Sequence, residues 1–514
     1  MHGRLFMHTK IKTLQEIGEL LERDRKEGLT VVQCHGVFDL IHPGHIRHIQ
    51  EAKRKGDKLV ITLTPDRFVN KGPGRPFFNE QLRSETLAAL AAVDYVVLND
   101  TPDAVSCICK IRPSIYVKGI EYADHGADVT GKISAETEAV EQVGGVIHYT
   151  DDVVFSSSSL LNMHFDPVSP EVASFMGRIK AEYTLSDLLT MINGLSTLKV
   201  LVIGDAIIDE YQYVEPLGQS GKGLHMTART LEREVFLGGS LIVAQHVAQF
   251  TSNVTLLTSI GKECPHSEFI KNELDPHIHT EFVYVEDQGT LTKKRYVLKD
   301  GKTISKLFET YSKNDPLLSK ENSQKVIHYL NRHSSEYDLV IACDFGNGFT
   351  NPEIIEALSA LPSFLAVNTQ TNSGNRGFNV VTHYPRADFI SLNEPELRLA
   401  AHNRHSPLQQ VIDRVVNRVQ CPRISVTRGV LGVFCHEEKQ SPVEVPSLTT
   451  HVIDRIGAGD SYLALASLCL AKGHPMLVAG FIGSLAAAMD VQIVGNREPV
   501  HKPALCKFLT RLMK

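Results

Sequence analysis

The chain has 514 residues, of which 42% are hydrophobic and 22% are charged, and its formal net charge is -6 at pH 7. This balance predicts a globular protein of two or three domains and excludes disordered and fibrous classes. The acidic net charge and the lack of long runs of like charge disfavour nucleic acid as a main partner. Residues 1–10 lack a signal-peptide pattern, no apolar stretch has the length of a membrane span, and nine scattered Cys fit a reducing compartment, so we expect a cytoplasmic protein.

The first third of the chain alternates β-rich and helix-length segments. Apolar residues at helical spacing over 11–25 end at Gly28 and predict a short first helix. The alternation after it predicts a parallel sheet with helices on both faces. Strands are expected at 30–34, 58–63, 95–98, 115–117 and 145–148, and helices at 46–55 and 80–92.

The pattern changes between residues 165 and 197, where a Pro-containing stretch and a helical stretch predict a connector. A second α/β series begins at 200–204, continues through an antiparallel-looking patch at 281–309, and ends in helices. We therefore expect an N-terminal domain over 1–165, a connector over 166–197 and a C-terminal domain over 198–514. No internal repeat relates the two domains.

The first group of candidate site residues lies in the segment HGVFDLIHPGH, residues 35–45. Gly36 permits close approach of the backbone to a ligand, and His42 and His45 stand where a strand passes into a helix N-terminus. Two imidazoles there can donate hydrogen bonds to a triphosphate and balance charge as its α-phosphate is attacked in line. A metal-binding pair or a chance match is the alternative for the His-x-x-His spacing.

This segment resembles the cytidylyltransferase-like nucleotidyltransferases, and further parts of their pattern follow in order at 71–76, 83, 93–94, 117–119, 121–122, 144–145 and 156–159. The resemblance is strongest with the transferase half of the bifunctional heptose kinase/adenylyltransferases of lipopolysaccharide-precursor synthesis. It implies a Rossmann-like domain of the HxGH type in which His42, His45 and Lys71 are catalytic. It also implies a nucleotide and phosphate site formed by Gly36, Val37, Phe38, Asp39, Gly44, Arg83, Lys118, Gly119, Ser156, Ser157 and Ser158.

The chemistry of these residues suits that assignment. Lys71 and Arg83 are candidate phosphate clamps because fixed cations offset the charge of a triphosphate. Ser156–Ser159 can offer N–H and hydroxyl groups to phosphates, and simple helix capping is the alternative. Glu121 stands where the family usually has Asp, which could shift a contact with base or ribose. The nucleotidyl donor stays open between CTP and ATP.

The second group of candidates begins with Asp205 and Asp209, whose carboxylates suit hydrogen bonds to substrate hydroxyls. Near the C-terminus, Gly457, Ala458 and Gly459 leave the N–H groups of a helix start free to hold a transferring phosphoryl group. Asp460 would then act as general base on the acceptor hydroxyl, and a structural turn is the alternative for this short motif.

Together with Gly238-Gly239, Asp344 and later motifs, these residues resemble the ribokinase-like (PfkB) carbohydrate kinases over about 310 residues. The resemblance implies a ribokinase-like α/β kinase with a small β lid, in which Asp205, Asp209, Gly238 and Gly239 bind the substrate. It also implies a nucleotide and anion site formed by Asn393, Glu396, Thr427, Gly429, Gly432, Gly457, Ala458, Gly459 and Asn496. Asn496 is a candidate to close over the adenine, with an ordinary loop role as the alternative.

Three departures from the kinase pattern leave the identity of the sugar substrate open. Ile242 replaces a substrate-contacting Asn and cannot supply its hydrogen bond. Residues 220–233 do not match the heptose-kinase segment before the diglycine, and Asn368-Thr-Gln370 replaces a D-P-K strand end. The order of the two domains is also opposite to that in the heptose enzymes, although autonomous domains can be fused either way.

The sequence therefore predicts a bifunctional sugar-activating enzyme. Its expected substrates are ATP for the kinase, CTP or ATP as the nucleotidyl donor, and a sugar or sugar phosphate, and its expected cofactor is Mg²⁺. A phosphatase could act between the two steps. The alternatives are a CTP-dependent enzyme for a polyol phosphate or another capsule sugar, and a kinase domain reduced to binding or scaffolding. We predict no direct protein ligand for a metal. A homodimer is suggested only by the two families.

Overall fold

The structure is a computed structural model that describes residues 10–69, 76–119, 132–150, 169–286, 290–300, 303–312 and 317–513. The chain divides into two compact units: unit 1 is Met1–Ser169 with Cys506–Lys514, and unit 2 is Pro170–Leu505. Most of the expected connector thus lies in unit 2, where it forms two helices. Within the described residues, no helix is long and apolar enough to cross a membrane.

Unit 1 contains a six-stranded sheet whose strand order is β1-β4-β3-β2-β5-β6, and every neighbouring pair is parallel. Its strands are rich in buried β-branched residues, as sheets covered on both faces require. The strands are β1 (Ile11–Lys12), β2 (Val31–Gly36), β3 (Lys58–Leu63), β4 (Tyr95–Leu98), β5 (Ile115–Gly119) and β6 (Val146–Thr150). The helices are α1 (Leu14–Lys26), α2 (Pro43–Arg54), α3 (Glu80–Ala88), α4 (Val105–Ile111) and α5 (Lys132–Gln142).

The strand β2 lies at the centre of this sheet, with β3 on one side and β5 on the other. The chain order reverses at that point, and in open parallel sheets ligands bind beyond the carboxyl ends of the strands at such a reversal. The segment that follows β2 carries the His-x-x-His motif. The fold thus places the motif at the carboxyl ends of the central strands, where a nucleotide site is expected.

Unit 2 is built on a sheet with the strand order β10-β9-β7-β13-β14-β15-β16-β17-β18. Pairing is parallel from β10 to β16 and antiparallel from β16 to β18. These strands are β7 (Val200–Gln219), β9 (Val254–Gly261), β10 (Ile278–Val285), β13 (Leu339–Asp344), β14 (Phe364–Thr369), β15 (Phe389–Asn393), β16 (Arg423–Thr427), β17 (Val433–Glu437) and β18 (Val443–Val445).

The strand β7 continues beyond this sheet. Its second half pairs antiparallel with β8 (Met226–Gly239) and parallel with β11 (Leu291–Asp300), which pairs in turn with β12 (Thr303–Tyr311). We call this extension the lid sheet. Asp205 is the last residue of β7 that pairs with β9, and Asp209 already pairs with β8 and β11, so the two carboxylates mark the passage from one sheet to the other.

The helices of unit 2 cover a large core. Three helices, which begin at Ser240, Ala458 and Met476, are buried along almost their whole length and carry mainly apolar residues. The helices are α6 (Pro170–Glu182), α7 (Leu185–Gly194), α8 (Ser240–Ala248), α9 (Ser267–Glu273), α10 (Lys320–Arg332), α11 (Pro352–Ser359), α12 (Glu394–Ala400), α13 (Leu408–Val419), α14 (Ala458–Ala471), α15 (Met476–Asp490) and α16 (Lys502–Met513), the last of which crosses the division between the units.

Candidate active sites

His42 is the N-cap of α2 in unit 1. Its Nδ1 accepts a hydrogen bond from the N–H of Gly44 at 3.1 Å, and Pro43 occupies the first helical turn. Burial lowers the pKa of His42, so the imidazole stays neutral near pH 7 with its proton on Nε2. This Nε2 is buried and has no hydrogen-bond partner among the described residues. The ring of His45 lies 4.0 Å from that of His42, so the structure brings the two histidines together at the helix start.

The loop before α2 is held by buried polar groups. Asp39 accepts hydrogen bonds from the N–H groups of Phe77 and Phe78 at 2.6 and 3.1 Å. Phe38 has a positive φ of 46° and packs into the core of unit 1, where its ring lies 5.4 Å from that of His45. Asp39 and Phe38, both expected in the nucleotide site, therefore shape the loop through contacts within the protein.

Arg83 is only 1% exposed. Its guanidinium donates to the carbonyls of Val37, Thr64 and Phe78 and to the carboxylate of Asp66, the last at 2.6 Å. Four N–H groups are thereby committed to the protein. Arg83 therefore braces the loop that begins at Val37, and its role as a phosphate clamp stays a prediction.

Lys118, near the end of β5, is also buried. Its ammonium pairs with Glu136 at 2.7 Å and lies 5.3 Å from the ring centre of Tyr116, whose hydroxyl donates to the same carboxylate. Gly36 and Gly119 are the last residues of the adjacent parallel strands β2 and β5, so both lie at the carboxyl ends of the strands. Four of the expected site residues, Lys71, Ser156, Ser157 and Ser158, lie outside the described residues, as does Glu121.

In unit 2, Asp460 lies in the first turn of α14, and Gly457 is the N-cap of that helix. Burial and the negative charge of Asp209 raise the pKa of Asp460 to about 7, against the effect of Lys293. A carboxylate with this pKa is half ionised near neutral pH, which suits a general base. The helix start formed by Gly457, Ala458 and Gly459 presents N–H groups in the manner expected of a phosphate site.

The carboxylates at the bend of β7 are both buried. Asp205 accepts hydrogen bonds from the N–H groups of Phe345, Asn347 and Phe349 at 2.9 to 3.3 Å, so it holds the loop after β13. Asp209 accepts from Arg295 and from the side-chain amide of Asn496.

Gly238, on β8, permits this arrangement. A β-carbon at Gly238 would lie 2.4 Å from Oδ2 of Asp209, so a side chain there would displace the carboxylate. Gly239, the other half of the diglycine, is the N-cap of α8. The diglycine therefore allows the lid sheet to approach the carboxylates of β7 closely.

The lid sheet adds cations that the motifs did not predict. Lys293 and Arg295 lie on β11, both buried, and Lys293 pairs in register with Asp209. Arg295 bridges Asp209 and Glu309. Burial lowers the pKa of Lys293, although the charge of Asp209 opposes the effect. The basic run Lys293-Lys294-Arg295 in a predicted strand is the sequence signal that could have identified this part of the site.

Asn393 and Glu396 form a capping box at the start of α12. The side chain of Asn393 accepts from the N–H of Glu396 at 2.8 Å, and Glu396 accepts from the N–H groups of Asn393 and Thr371 at 3.0 and 3.3 Å. Burial raises the pKa of Glu396 to about 7. Thr427 ends β16 beside β15, and Gly429 and Gly432 flank a short turn between β16 and β17. The structure therefore brings these residues to the carboxyl ends of neighbouring strands.

Asn496 lies beside the helix start that carries Asp460. Its amide donates to Asp209 and to the carbonyl of Leu237, and its Oδ1 would lie 2.3 Å from a β-carbon at Gly457. It thus contacts residues of the expected sugar and phosphoryl sites, whereas a contact with adenine stays a prediction. Asp490, which sequence reasoning missed, also points at Gly457; it is 1% exposed and neither of its oxygens has a partner among the described residues.

Two of the departures from the kinase pattern have clear placements. Ile242 is 1% exposed within α8, where it packs in the interior. The side-chain amide of Asn368 donates to the carbonyl of Ser391 at 2.7 Å and so ties β14 to β15. Both residues are accommodated by the fold.

The described parts of the chain contain no group of three or more His, Cys, Asp or Glu side chains that could hold a metal ion. What they do contain is a helix start rich in small residues, a carboxylate of raised pKa within it, and buried acids at a strand bend. These features, on two predominantly parallel sheets, define an α/β transferase.

The comparisons with known proteins agree with this class. The chain belongs to the pfkB family of carbohydrate kinases, whose family model matches residues 197–503, more than half of the chain. Residues 34–163 match the cytidylyltransferase-like family. The predicted fold class is therefore confirmed, with a nucleotidyltransferase-like domain and a ribokinase-like kinase fold.

Similar curated proteins include the bifunctional protein HldE of Syntrophotalea carbinolica, 38% identical over 149 residues, which are 28% of this chain and 30% of that protein. HldE of Gluconobacter oxydans is 38% identical over 137 residues, which are 26% of this chain and 29% of that protein. The chain thus spans about 30% of the length of the relatives it matches.

Among solved structures, phosphofructokinase-2 of Escherichia coli in complex with potassium has a TM-score of 0.51 at 14% identity, covering 62% of this chain and 100% of that one. A mutant of the same enzyme has a TM-score of 0.50 at 13% identity with the same coverage. At such low identity the similarity shows the fold alone.

Proposed function

We propose that the chain activates a sugar in two reactions: its pfkB unit phosphorylates a sugar or sugar phosphate with ATP, and residues 34–163 transfer a nucleotidyl group from a nucleoside triphosphate to a sugar 1-phosphate, releasing pyrophosphate. The observation that carries the kinase half is Asp460, a carboxylate of pKa about 7 in the first turn of a helix that begins with small residues. The heptose-phosphate-like substrate class rests on the resemblance of the two sequence patterns to the heptose enzymes, and the similarity to the relatives named HldE supports a bifunctional protein.

In the kinase reaction, ionised Asp460 accepts the proton of the sugar's acceptor hydroxyl while the hydroxyl oxygen bonds to the γ-phosphorus of ATP, and ADP leaves. The N–H groups at the start of α14 stabilise charge on the transferring phosphoryl group. The buried carboxylates at the bend of β7 and the lid cations orient the sugar. Positioning and electrostatics supply most of the rate, because phosphoryl transfer needs no covalent intermediate on the enzyme.

In the nucleotidyl transfer, the sugar phosphate attacks the α-phosphorus of the nucleotide and pyrophosphate leaves. His42, neutral and with its Nε2–H unpaired among the described residues, donates a hydrogen bond to a phosphate oxygen. His45 lies against His42 and acts on the same phosphates. Lys71 and Ser156–Ser158 complete the phosphate site in this proposal.

Mg²⁺ would accompany both nucleotides, since it binds mainly to phosphate oxygens and needs few protein carboxylates. The kinase site fits such a cation: the negative charges of Asp209 and Glu396 both raise the pKa of Asp460, so the carboxylates repel one another. Asp460 and Glu396 are the residues that would face the metal. When bound there, the cation would neutralise negative charge on the nucleotide's phosphates.

The test is to assay the whole chain for ADP formation across a panel of sugars and sugar phosphates with ATP, and for pyrophosphate release with CTP or ATP. Asp460→Asn should lower ADP formation by orders of magnitude and leave pyrophosphate release intact, and His45→Ala should abolish pyrophosphate release and leave ADP formation intact. Absence of ADP formation from every sugar would instead support a kinase unit reduced to binding. Pyrophosphate release with polyol phosphates alone would overturn the sugar assignment.

A further inference from the structure

The carboxylate of Asp454, three residues before Gly457, is a buried group to which the proposed mechanism gives no role. Its side chain is 2% exposed and accepts hydrogen bonds on both oxygens. Oδ1 accepts from the ammonium of Lys306 at 2.6 Å and from the N–H of Ile456 at 3.2 Å. Oδ2 accepts from the hydroxyl of Tyr211 at 2.6 Å and from the N–H of Gly495 at 3.1 Å.

These bonds join segments that meet at the phosphoryl-transfer site. Ile456 directly precedes the N-cap of α14, and Gly495 directly precedes Asn496. A single carboxylate therefore positions both segments. Asp454 is thereby hydrogen-bonded to the residue directly before the N-cap of the helix that carries Asp460.

The cation on Asp454 comes from the lid sheet. Lys306 lies on β12, which pairs only with β11 among the described strands. Ile304, two residues earlier and thus on the same face of the strand, packs against a cluster that includes Tyr211, and Ile456 packs against the same cluster. The strand has a bulge directly after Lys306, where register changes between Tyr296 and Val297, and bulges commonly redirect a side chain towards a site.

The ion pair decides the charge state of Asp454. Burial opposes ionisation of this carboxylate, but the hydrogen bonds from Lys306 and Tyr211 outweigh it and lower the pKa of Asp454 below its ordinary value. The negative charges of Asp460 and Asp454 both act on the buried Asp490. Without the ammonium, Asp454 would be a buried carboxylate among other acids, a state that proteins relieve by protonation or movement.

We propose that Lys306 is a positioning residue of the kinase site: it ties β12 of the lid sheet to Asp454 and so holds the segment before Gly457 in the conformation that binds the transferring phosphoryl group. The inference rests on the proposed kinase function. It makes the lid strand a structural part of the phosphate site as well as a neighbour of the sugar site. The cation at Asp454 is then the ammonium group of Lys306. A small free cation should be able to replace this group when the Lys306 side chain is shortened.

The experiment compares Lys306→Ala, Lys306→Arg and the matched control Lys325→Ala, which removes an exposed i,i+4 ion pair with Glu321 on α10. The readouts are kcat and KM of the kinase, hydrogen exchange at the amides of Ile456 and Gly495, and the effect of added ammonium or methylammonium ions. Lys306→Ala should lower kcat by about tenfold or more, accelerate exchange at both amides and recover part of its rate with the small cations. Lys306→Arg should retain most of the rate, and Lys325→Ala should match the wild type.

Unchanged exchange in Lys306→Ala would overturn the proposal, as would faster exchange with unchanged kcat. Pyrophosphate release by the same variant should stay at the wild-type rate, which shows that unit 1 is intact, and wild-type exchange at amides of unit 2 far from Asp454 shows that unit 2 is folded. If the wild type forms no ADP with any sugar, the proposed kinase function fails, and the exchange measurement alone decides whether Lys306 holds this segment.

Discussion

The raised pKa of Asp460 makes both the kinase rate and the stability of unit 2 depend on pH. As the base, Asp460 must be ionised, so kcat/KM should be half-maximal near pH 7 and about a tenth of its plateau at pH 6. Asp460→Asn cannot accept the proton and should lose about 10² to 10⁴-fold in rate. The assay is ADP formation between pH 5.5 and 8.5 under saturating ATP.

The same substitution should stabilise the protein. The folded state holds the proton of Asp460 more tightly than the unfolded state, so stability declines as pH rises from 3.8 to about 7 and the penalty is constant above that. The penalty above pH 7 is about 4 kcal/mol as an upper bound, because the half-buried group retains some solvent. Asp460→Asn should remove it, with a gain in unfolding free energy at pH 8 that is about 2 kcal/mol larger than at pH 5.5.

Urea unfolding of wild type and variant at the two pH values measures this gain. Two results would refute the reasoning: a kinase rate independent of pH between 5.5 and 8, or a variant that loses its rate without any gain in stability at pH 8. The first would remove Asp460 as the base. The second would mean that ionisation of the Asp460 carboxylate costs no free energy in the folded state.

Three further substitutions test individual contacts. His42→Asn retains an N-cap acceptor for Gly44 but lacks the imidazole Nε2–H, so pyrophosphate release should fall about 10² to 10³-fold with little change in Tm; near-normal release would exclude His42 as a phosphate donor. Arg83→Met should lower the unfolding free energy of unit 1 by about 3 to 5 kcal/mol in a urea titration, since four acceptors lose a buried partner, and a loss below about 1 kcal/mol would contradict its bracing role. Gly238→Ala places a β-carbon against Asp209 and should raise the KM for the sugar. The control Gly221→Ala, where nothing lies within 4 Å of the added carbon, should leave the KM unchanged. Equal KM values in the two variants would show that Asp209 does not contribute to sugar binding.

The parts of the site that the sequence predicted are local in the chain. His42 and His45 lie within one helix start, and Gly457–Asp460 lie within another, so spacing alone brings each set together. The alternation of strands and helices also predicted the parallel sheets, because apolar strands separated by helices have few other arrangements. The length of β7 was not predictable, since its pairing changes from one sheet to the other along an unbroken strand.

The parts that the sequence did not predict depend on distant pairings. Lys293 and Arg295 reach Asp209 because β11 pairs in parallel with β7, a register that no local pattern specifies. Asn393 and Glu396 were expected in the nucleotide and anion site. Their oxygens also accept hydrogen bonds from the backbone at a helix start, and the sequence motif does not distinguish these two roles.

The charges of the kinase site explain why distant residues are required there. The motifs supply carboxylates at strand ends and helix starts. Burial raises the pKa values of Asp344 and Asp460, and the neighbouring charges of Asp205 and Asp209 raise them further. A site of acids alone would take up protons and lose its base. The cations that offset this charge, Lys293, Arg295 and Lys306, all come from the lid sheet. The ionisation of the base therefore depends on the strands that approach the sugar, and any motion of those strands would change the acidity of the site together with its access.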